Sequence, residues 1–567
     1  MATGDLSLTA GGALLARLKA VGVDYIFANS GTDFPPIIEG LSEAAAKGVP
    51  LPVALTMPHE SAAMGMAHGY YLATGRSQAV MAHTNVGLAN CATGAINAAV
   101  ENVPVLLFSG RTPVTERDRF GARTVPIGWG QEMRDQAALV REASKWDYEL
   151  RFPEQVGELV DRAYAIANST PKGPVYVSLP REVLCEPYRP DDVGVPNLMS
   201  PVRPAPDRSQ IDHVAALIAT ARKPVIFAQH GAGSADAFAA LGKLADRWGV
   251  AVCQYWAVQL AVPTDHPMAI GNDPAGFIED ADLVLVLDSL APWSAQAHRP
   301  EASATIVQLG PDPLKARMPI RNFRSDISIV SEVSDGIMAL ESALDARDVS
   351  PAIAARREGV AKIAAERRAA TLEKARLRDD GAMTSDFVAK AVSDAIAGAD
   401  AVLLSERGCT MPPMTLNHHR AWYQEPHAGG LGWSFPAALG MQLAERDRLV
   451  VATMGDGSYM FANPVACHQI AEALELPLLV IILNNAEWAA VRHSVLDIYP
   501  DGYASRTNAM PLTGLSPIPD FVKVAEASRA WARRIDSADA LVQGLADALA
   551  HIKTTKSLAL LDIRTIG

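Results

Sequence analysis

The sequence predicts an α/β protein of three domains, each a mostly parallel β-sheet flanked by helices. The chain has 567 residues, and a domain commonly holds roughly 100–200 residues. Short apolar runs alternate with longer amphipathic stretches along most of the chain. That alternation is typical of βα units, in which helices separate buried parallel strands. Hydrophobic residues make up 49% of the chain and charged residues 20%, which is enough apolar material for several buried cores.

The first domain is expected to span residues 1–187. Its predicted strands are four apolar runs, at residues 24–31, 78–85, 103–110 and 173–180. A stretch rich in proline follows at residues 186–206. Such a composition is typical of a linker.

The second domain is expected to span residues 207–345. Its predicted strands are at residues 224–231, 250–257, 281–289 and 304–310. Residues 351–380 are dense in alanine, arginine and glutamate, which favours a solvent-facing connecting helix. A third domain is expected at residues 380–567, with strands at residues 400–406, 448–455, 476–485 and 557–564.

Charge and composition exclude several classes of protein. The net charge of −13 disfavours binding to nucleic acids or to an anionic membrane surface. Residues 1–12 have no basic flank followed by an apolar stretch, and the apolar segment at residues 476–483 is too short to span a bilayer. The five cysteines are scattered, without a CxxC pair, which disfavours a disulfide framework or a zinc site. We expect a soluble cytoplasmic protein with no nucleic-acid or membrane partner.

The strongest local pattern lies between residues 449 and 485. An apolar strand runs into Gly455-Asp456-Gly457-Ser458, where the glycines predict a tight turn. A helix is expected over residues 463–474, and a second apolar strand then ends in Asn484-Asn485. Parallel sheets bind ligands at the edge formed by the carboxyl ends of their strands. This strand–helix–strand unit therefore predicts a ligand site.

The residue types at that edge suit Mg²⁺ and a diphosphate. Mg²⁺ prefers oxygen ligands and commonly keeps phosphate oxygens among them. Asp456 offers a carboxylate, Asn485 an amide oxygen and Glu487 a backbone carbonyl. Backbone amides of Gly457 and Ser458, near a helix N-terminus, would favour a diphosphate. A GDGS stretch alone is often only a glycine turn, and Asn485 at the end of the next strand is what strengthens the prediction.

Two motifs of the third domain carry a family resemblance. The GDG and NN pair resembles the signature of thiamine-diphosphate enzymes, and residues 427–440 (HAGGLGWSFPAALG) resemble a segment of benzoylformate decarboxylase and acetolactate synthase. The resemblance implies that Leu431 supports the bent cofactor and that the carbonyl of Gly429 accepts a hydrogen bond from its amino group. Residues 405–409 (SERGC) match the stretch whose backbone reaches the diphosphate, so Gly408 and Cys409 are expected to contact it.

The first domain carries the other half of the resemblance. Residues 57–63 (MPHESAA) resemble the activating-glutamate motif of the family, and Glu60 matches the glutamate. Alone, a glutamate at a helix start is usually only a favourable partner of the helix dipole. The resemblance implies a pyrimidine-binding domain (1–187), a central domain (207–345) and a diphosphate-binding domain (380–567). It further implies thiamine diphosphate and Mg²⁺ as cofactors. It also implies a homodimer at minimum, with a homotetramer expected, because subunits share each site in this family.

The resemblance implies a decarboxylase or carboligase that acts on a 2-oxo acid through an enamine. An aldehyde or a second 2-oxo acid could serve as acceptor. His83 coincides with a catalytic histidine of benzoylformate decarboxylase, and Thr32, in residues 29–32 (NSGT), would supply a substrate-binding hydroxyl. A histidine that is merely hydrogen-bonded at a strand end is the alternative for His83. Residues 129–132 (WGQE) resemble an acetolactate synthase loop and assign Gln131 to the substrate. His427 could also face the substrate pocket.

Residues beyond Asn485 are expected to lie at the substrate end of the site. By resemblance these are Trp488, Ala490 and Val491, and the small Ala490 would leave room for a bulky substituent or a second aldehyde. The central domain has Gly231-Ala-Gly-Ser234 rather than GxGxxG, so it is expected to be a nucleotide fold without FAD.

The sequence leaves an acyl-CoA lyase as the alternative function and disfavours two others. A lyase of 2-hydroxyacyl-CoA or an oxalyl-CoA decarboxylase shares the core motifs, and dependence on coenzyme A would distinguish it. A nucleotide-binding oxidoreductase requires a GxGxxG motif after a strand, which the sequence lacks. A non-catalytic relative would be expected to lack Glu60.

Overall fold

A computed structural model describes residues 8–188 and 199–566. The expected absence of a signal peptide therefore falls partly outside the described residues, as do residues 189–198 of the expected linker. The strands, in chain order, are β1 (Leu8–Thr9), β2 (Tyr25–Ala28), β3 (Val53–Thr56), β4 (Gln78–Ala82), β5 (Val105–Arg111), β6 (Asp147–Glu149), β7 (Val175–Pro180), β8 (Pro187–Tyr188), β9 (Pro224–Ala228), β10 (Ala251–Cys253), β11 (Leu283–Leu287), β12 (Thr305–Gly310), β13 (Ile327–Val330), β14 (Ala401–Glu406), β15 (Trp422–Gln424), β16 (Leu449–Gly455), β17 (Leu479–Asn484), β18 (Trp531–Ile535) and β19 (Ala559–Arg564).

Helices separate most of these strands. In chain order they are α1 (Ala10–Ala20), α2 (Pro35–Lys47), α3 (Glu60–Thr74), α4 (Thr84–Val100), α5 (Ile127–Gly130), α6 (Val156–Asn168), α7 (Arg181–Cys185), α8 (Arg208–Thr220), α9 (Ala235–Trp248), α10 (Val333–Asp345), α11 (Pro351–Lys374), α12 (Ser385–Ala395), α13 (Ser434–Ala444), α14 (Asp456–Phe461), α15 (Pro464–Ala473), α16 (Ala489–Ile498), α17 (Tyr503–Thr507), α18 (Phe521–Glu526) and α19 (Ala538–Thr555). Short 3₁₀ turns lie at Ala137–Leu139, Arg141–Ala143 and Pro153–Gln155.

The chain divides into two compact units. The first contains Met1–Val202, Pro426–Asp447 and Phe461–Leu476, and the second contains Arg203–Glu425, Arg448–Met460 and Pro477–Gly567. The first unit holds a six-stranded sheet in the order β3-β2-β4-β5-β7-β6, and every pairing in it is parallel. Apolar side chains of α1 and α6 pack against the strands in one buried cluster.

The second unit holds two further sheets. Their strand orders are β10-β9-β11-β12-β13 and β15-β14-β16-β17-β19-β18. All pairings in both sheets are parallel. One cluster of buried apolar side chains includes strands of both, for example Leu285 of β11 and Leu403 of β14. The three parallel sheets with flanking helices confirm the predicted fold class, whereas the three predicted domain boundaries stay predictions.

Some elements differ from their predicted extent. The strand predicted over residues 250–257 is limited to β10, and the expected glycine turn after β16 is replaced by a helix start at Asp456. The helix expected over residues 463–474 is observed as α15. It is separated from α14 because Asn463 has a φ of 53° and Pro464 opens the next helix. The connecting helix α11 is mostly exposed, as predicted, and buries only Ile353 and Ala364.

Cysteines and membrane spans agree with the expectations from composition. All five cysteines are free thiols. Within residues 8–188 and 199–566, the helices are all too short or too polar to cross a bilayer.

Helices α3 and α13 of the first unit are packed closely through glycines. A Cβ added at Gly69 would overlap the carbonyl oxygen of Ala437, and one added at Gly440 would overlap that of Met66. The backbones of the two helices are therefore in direct contact, which side chains larger than hydrogen would prevent.

We expect Gly440→Ala to lower the free energy of unfolding by about 1–3 kcal/mol, because the new methyl group forces a packed backbone apart. Gly359 of α11 is the matched control, since no atom lies within 4 Å of its added Cβ. There, replacement by alanine should raise stability by about 0.5–1 kcal/mol through the unfolded state and helix propensity. Urea unfolding of both variants checks this, and equal effects would contradict it.

Candidate active site

His83 lies where β4 ends and α4 begins. Its Nδ1 is 2.5 Å from Oδ1 of Asp33, and its Nε2 is 3.0 Å from Nε2 of Gln131. Asp33 is 4% exposed, and its other oxygen accepts a hydrogen bond from the backbone N–H of Thr84 at 3.2 Å. The strand end therefore holds an imidazole between a buried carboxylate and a carboxamide.

The surroundings of His83 favour its protonated form. The hydrogen bond that Nδ1–H of His83 donates to Asp33 raises the pKa of His83, burial opposes that shift, and the charges of Asp33 and Glu60 add to it. A protonated imidazole donates at both nitrogens. The amide of Gln131 would then accept through its oxygen, after rotation about its last side-chain bond. A Cβ at Gly31 would overlap the imidazole, so glycine leaves the space that the ring occupies.

Thr32 lies beside this group on the loop after β2. It is exposed, and its backbone carbonyl accepts a hydrogen bond from Nη1 of Arg181 at 3.1 Å. Thr32, Asp33 and Gln131 line one cavity of about 170 Å³. Two predicted substrate residues are thus brought to the same cavity.

Glu60 is the first residue of α3 and is 7% exposed. Its Oε2 accepts a hydrogen bond from Nδ2 of Asn90 at 3.0 Å. Its Oε1 faces Gly87, where an added Cβ would lie 2.6 Å from that oxygen. Because Asn90 and Gly87 both belong to α4, this helix positions the Glu60 carboxyl.

Asp456 and Asn485 lie at the carboxyl ends of the neighbouring strands β16 and β17 of the second unit. The Asp456 carboxylate accepts hydrogen bonds from the backbone N–H groups of Gly457 at 2.7 Å and Ala486 at 2.6 Å. Burial raises the pKa of Asp456, and these N–H groups oppose the shift. The amide oxygen of Asn485 accepts from the N–H of Glu487 at 3.0 Å. This edge therefore collects oxygen donors, the type that Mg²⁺ prefers.

The residues after Asn485 continue along the same edge. The backbone carbonyl of Glu487 accepts a hydrogen bond from Ala489 at 2.9 Å, and its side chain accepts one from Thr513 at 3.0 Å. The ring of Trp488 packs on Gly457, where an added Cβ would overlap it. Ser458, which is predicted to contact the diphosphate, is buried in α14. Ala490 and Val491 are exposed at the start of α16.

Gly408 and Cys409 follow β14, next to β16 in the same sheet. A Cβ at Gly408 would overlap the backbone of Thr453. The N–H of Cys409 donates to the Thr453 hydroxyl at 3.1 Å, and burial raises the pKa of the Cys409 thiol to about 12. The thiol is therefore protonated at neutral pH.

The residues of the GGLG segment belong to the first unit. Gly429 has a φ of 68°, and Leu431 is half-buried. Between them, Gly430 exchanges two hydrogen bonds with the side chain of Asn97, at 2.8 and 3.2 Å. The backbone N–H of His427 donates to Oε1 of Glu101 at 2.8 Å. These contacts tie the segment to α4 and to the residue that follows it.

Comparison with known proteins identifies the family. Residues 8–139, 211–340 and 408–563 match, respectively, the N-terminal TPP binding, central and C-terminal TPP binding domains of the thiamine pyrophosphate enzymes. The chain is a thiamine-diphosphate-dependent enzyme of the benzoylformate decarboxylase and acetolactate synthase-like superfamily. The three matched segments follow the order that the sequence predicted.

Named relatives of this thiamine-diphosphate-dependent enzyme differ in their reactions. A probable 2-ketoarginine decarboxylase of Pseudomonas aeruginosa is 29% identical over 90% of this chain and 88% of its own. An acetolactate synthase of Mycobacterium bovis is 26% identical over 92% and 82%. A sulfoacetaldehyde acetyltransferase of Rhodobacter capsulatus is 27% identical over 88% and 85%.

A solved structure supports the fold of this enzyme. The thiamine diphosphate-dependent 4-hydroxybenzoylformate decarboxylase of Rhodococcus jostii superposes with a TM-score of 0.78 at 23% identity. The match covers 98% of this chain and 99% of that structure.

Two residues that contact predicted site residues, and a buried acid beside Arg407, were not predicted from the sequence. Asp33 contacts His83, and Asn90 contacts Glu60. Glu425 lies 3.2 Å from Nε of Arg407, and burial raises the pKa of Glu425 to about 7, with the Arg407 charge opposing. Asp33 follows the NSGT stretch directly, and an acidic residue after one strand end and a histidine after the neighbouring one could have indicated the pair.

We expect Asp33→Asn to lower the pKa of His83, because the amide removes the negative charge that raises it and offers only a neutral acceptor. Histidine NMR titration of the thiamine-diphosphate-dependent enzyme measures this directly. Asp135→Asn, which removes a carboxylate paired with Arg141 at the surface, is the control and should leave the His83 titration unchanged.

Asp33→Asn should also make the free energy of unfolding less dependent on pH. A raised folded-state pKa stabilises the protein fully below the unfolded value of 6.5 and loses that effect as the pH rises through the folded-state pKa. The stability difference between wild type and Asp33→Asn should therefore be largest in mild acid and shrink in alkali. A difference that grows with pH would contradict the assignment.

Proposed function

We propose that this enzyme is a Mg²⁺-dependent 2-oxo acid decarboxylase or carboligase. The observation that carries the proposal is the contact between His83 and Gln131 beside the buried carboxylate of Asp33. His83 was predicted from resemblance to benzoylformate decarboxylase and Gln131 from resemblance to acetolactate synthase. Their contact supports one substrate site that combines features of both groups.

The residues at the β16–β17 edge fit the diphosphate and its metal. Asp456 and Asn485 would hold Mg²⁺ with the carbonyl of Glu487, because all three offer oxygen. Gly457, Ser458, Gly408 and Cys409 are assigned to the diphosphate, and Gly429 and Leu431 to the organic part of the cofactor. Bound thiamine diphosphate supplies a thiazolium ring that accepts the electron pair released when CO₂ leaves a 2-oxo acid.

Glu60 is assigned to the aminopyrimidine of the cofactor. Its Oε2 is occupied by Asn90, whereas Oε1 faces the space left by Gly87. A proton held at Oε1 could therefore be shared with a ring nitrogen. This supports the role that the family resemblance gives to Glu60.

His83 is assigned to proton transfer at the substrate carbonyl. Asp33 binds Nδ1, which leaves Nε2 as the nitrogen that exchanges a proton with substrate. Gln131 orients Nε2 of His83 until a substrate replaces the Gln131 amide in this contact. Thr32 would donate its hydroxyl to the substrate carboxylate. His427, Trp488, Ala490 and Val491 are assigned to the remaining substrate contacts, and the exposure of Ala490 supports access by an aldehyde or a second 2-oxo acid.

An acyl-CoA lyase is the second candidate, because it would share the cofactor residues. Turnover that requires coenzyme A would favour it. The family resemblance further supports a homodimer or homotetramer, which light scattering of the purified protein measures.

Glu60→Gln and Asp456→Asn should affect different steps. CO₂ release should require both thiamine diphosphate and Mg²⁺, and Glu60→Gln should reduce it about a hundredfold or more, the scale of general acid–base catalysis. Asp456→Asn should weaken cofactor binding, measured by quenching of the fluorescence of Trp488, which packs beside Asp456. Glu358→Gln, on the exposed helix α11, is the control. Full activity of both site variants without metal would overturn the proposal.

His83→Ala separates the two reaction classes. We expect CO₂ release from benzoylformate to fall about a hundredfold or more. Assays with pyruvate and with benzoylformate, with acyloins and acetolactate measured among the products, check this. Acetolactate from pyruvate that persists in His83→Ala would favour a synthase, whereas an unchanged rate with every acid would contradict the role of His83.

A further inference from the structure

A polar pocket extends beyond His83 and Gln131 in the first unit. Its cavity of about 170 Å³ is lined by Thr84, Thr112 and Arg123 in addition to Gln131. Thr84 is 1% exposed, and among the described residues its hydroxyl has no hydrogen-bond partner. A buried hydroxyl without a partner costs free energy, so this hydroxyl points to a ligand that the pocket accommodates.

The backbone at Thr84 agrees with a functional role. Its φ of 38° is in the left-handed region, which β-branched residues avoid. The N–H of Thr84 is held by Asp33 at 3.2 Å. This contact fixes the backbone from which the Thr84 hydroxyl projects.

The charges around the pocket leave one positive charge uncompensated. Arg123 and Arg111 share Glu132, and Arg111 also pairs with Glu149. These two arginines and two glutamates balance one another. Asp33 likewise pairs with His83.

Arg181 supplies the remaining positive charge. It lines the same cavity and donates to the backbone carbonyls of Thr32, Gly121 and Ala122. Within the described parts of the chain, no carboxylate forms an ion pair with it. Carbonyl groups satisfy its N–H groups but do not neutralise its charge, so the pocket attracts anions.

We propose that this pocket binds a second acidic group of the substrate, so that the preferred substrate is a dicarboxylic 2-oxo acid. This inference rests on the proposed function, and it deepens it by naming the substrate class. The Arg181 guanidinium and the Thr84 hydroxyl, which line the same cavity, bind the distal carboxylate, while His83 lies at the reacting end. A guanidinium tail would be repelled by Arg123 and Arg181.

Ligand binding tests the pocket without any turnover. The full-length enzyme, loaded with thiamine diphosphate and Mg²⁺, is titrated calorimetrically with glutarate, butyrate and 4-guanidinobutyrate. We expect glutarate to bind about tenfold or more tightly than butyrate, because its second carboxylate forms one additional charge-assisted hydrogen bond. Arg181→Gln and Thr84→Ala should reduce that preference. The control Arg141→Gln removes an equal charge from an exposed arginine outside the cavity and should preserve it.

Turnover separates failure of the pocket from failure of the proposed function. CO₂ release is compared for 2-oxoglutarate, 2-oxopentanoate and 2-oxo-5-guanidinopentanoate. The expected ratio of kcat/KM favours 2-oxoglutarate and falls about tenfold in Arg181→Gln, with Arg181→Lys retaining more of it than Arg181→Gln. Release from the other two acids without preference for the diacid overturns the pocket alone. No release from any acid overturns the proposed function, and the calorimetric preference then decides the pocket by itself.

Thr84→Ser is the control for a folding defect in Thr84→Ala. It keeps the hydroxyl and removes the methyl branch that the left-handed backbone disfavours. We expect it to restore the preference for glutarate that Thr84→Ala loses. Equal behaviour of the serine and alanine variants would overturn the role of the hydroxyl.

Discussion

Parallel strand pairing is the constraint on which the candidate site depends. It brings the carboxyl ends of all strands in a sheet to one edge. In the first unit that edge carries Asp33 after β2, Glu60 after β3 and His83 after β4. In the second unit it carries Gly408 after β14, Asp456 after β16 and Asn485 after β17. The chemistry-bearing residues are far apart in sequence but share an edge because their strands are neighbours.

Space at these edges is set by glycine. The His83 ring occupies the place of a side chain at Gly31, and the Glu60 carboxyl has the same relation to Gly87. At the second edge the ring of Trp488 covers Gly457. At each of these glycines, a larger residue would occupy the space that the neighbouring functional side chain now fills. Glycines also let α3 pack directly against α13. The absence of side chains at glycine positions therefore permits both the close contacts of the site residues and the packing of the first unit.

The charges and hydrogen bonds around the candidate site residues differ between the two units. In the first, a buried carboxylate raises the pKa of His83 beside a cavity that Arg123 and Arg181 line. In the second, backbone N–H groups hold the Asp456 carboxylate and oppose the effect of burial on its pKa. The first arrangement suits an acidic substrate that must exchange a proton, and the second suits a cation bound by oxygen atoms.

Sequence alone determined the fold class, because alternating apolar runs are local, and short motifs such as GDG and NN carried the resemblance that gave the family and the order of its domains. The tertiary structure decided which side chains meet: Asp33 with His83 across 50 residues, and Asn90 with Glu60 across 30. It also replaced the expected glycine turn by a helix start at Asp456 and revealed the Thr84 hydroxyl in its pocket. The physical reason is that pairing partners, buried unpartnered groups and the charge around a cavity arise from contacts distant in sequence, and no local pattern encodes them.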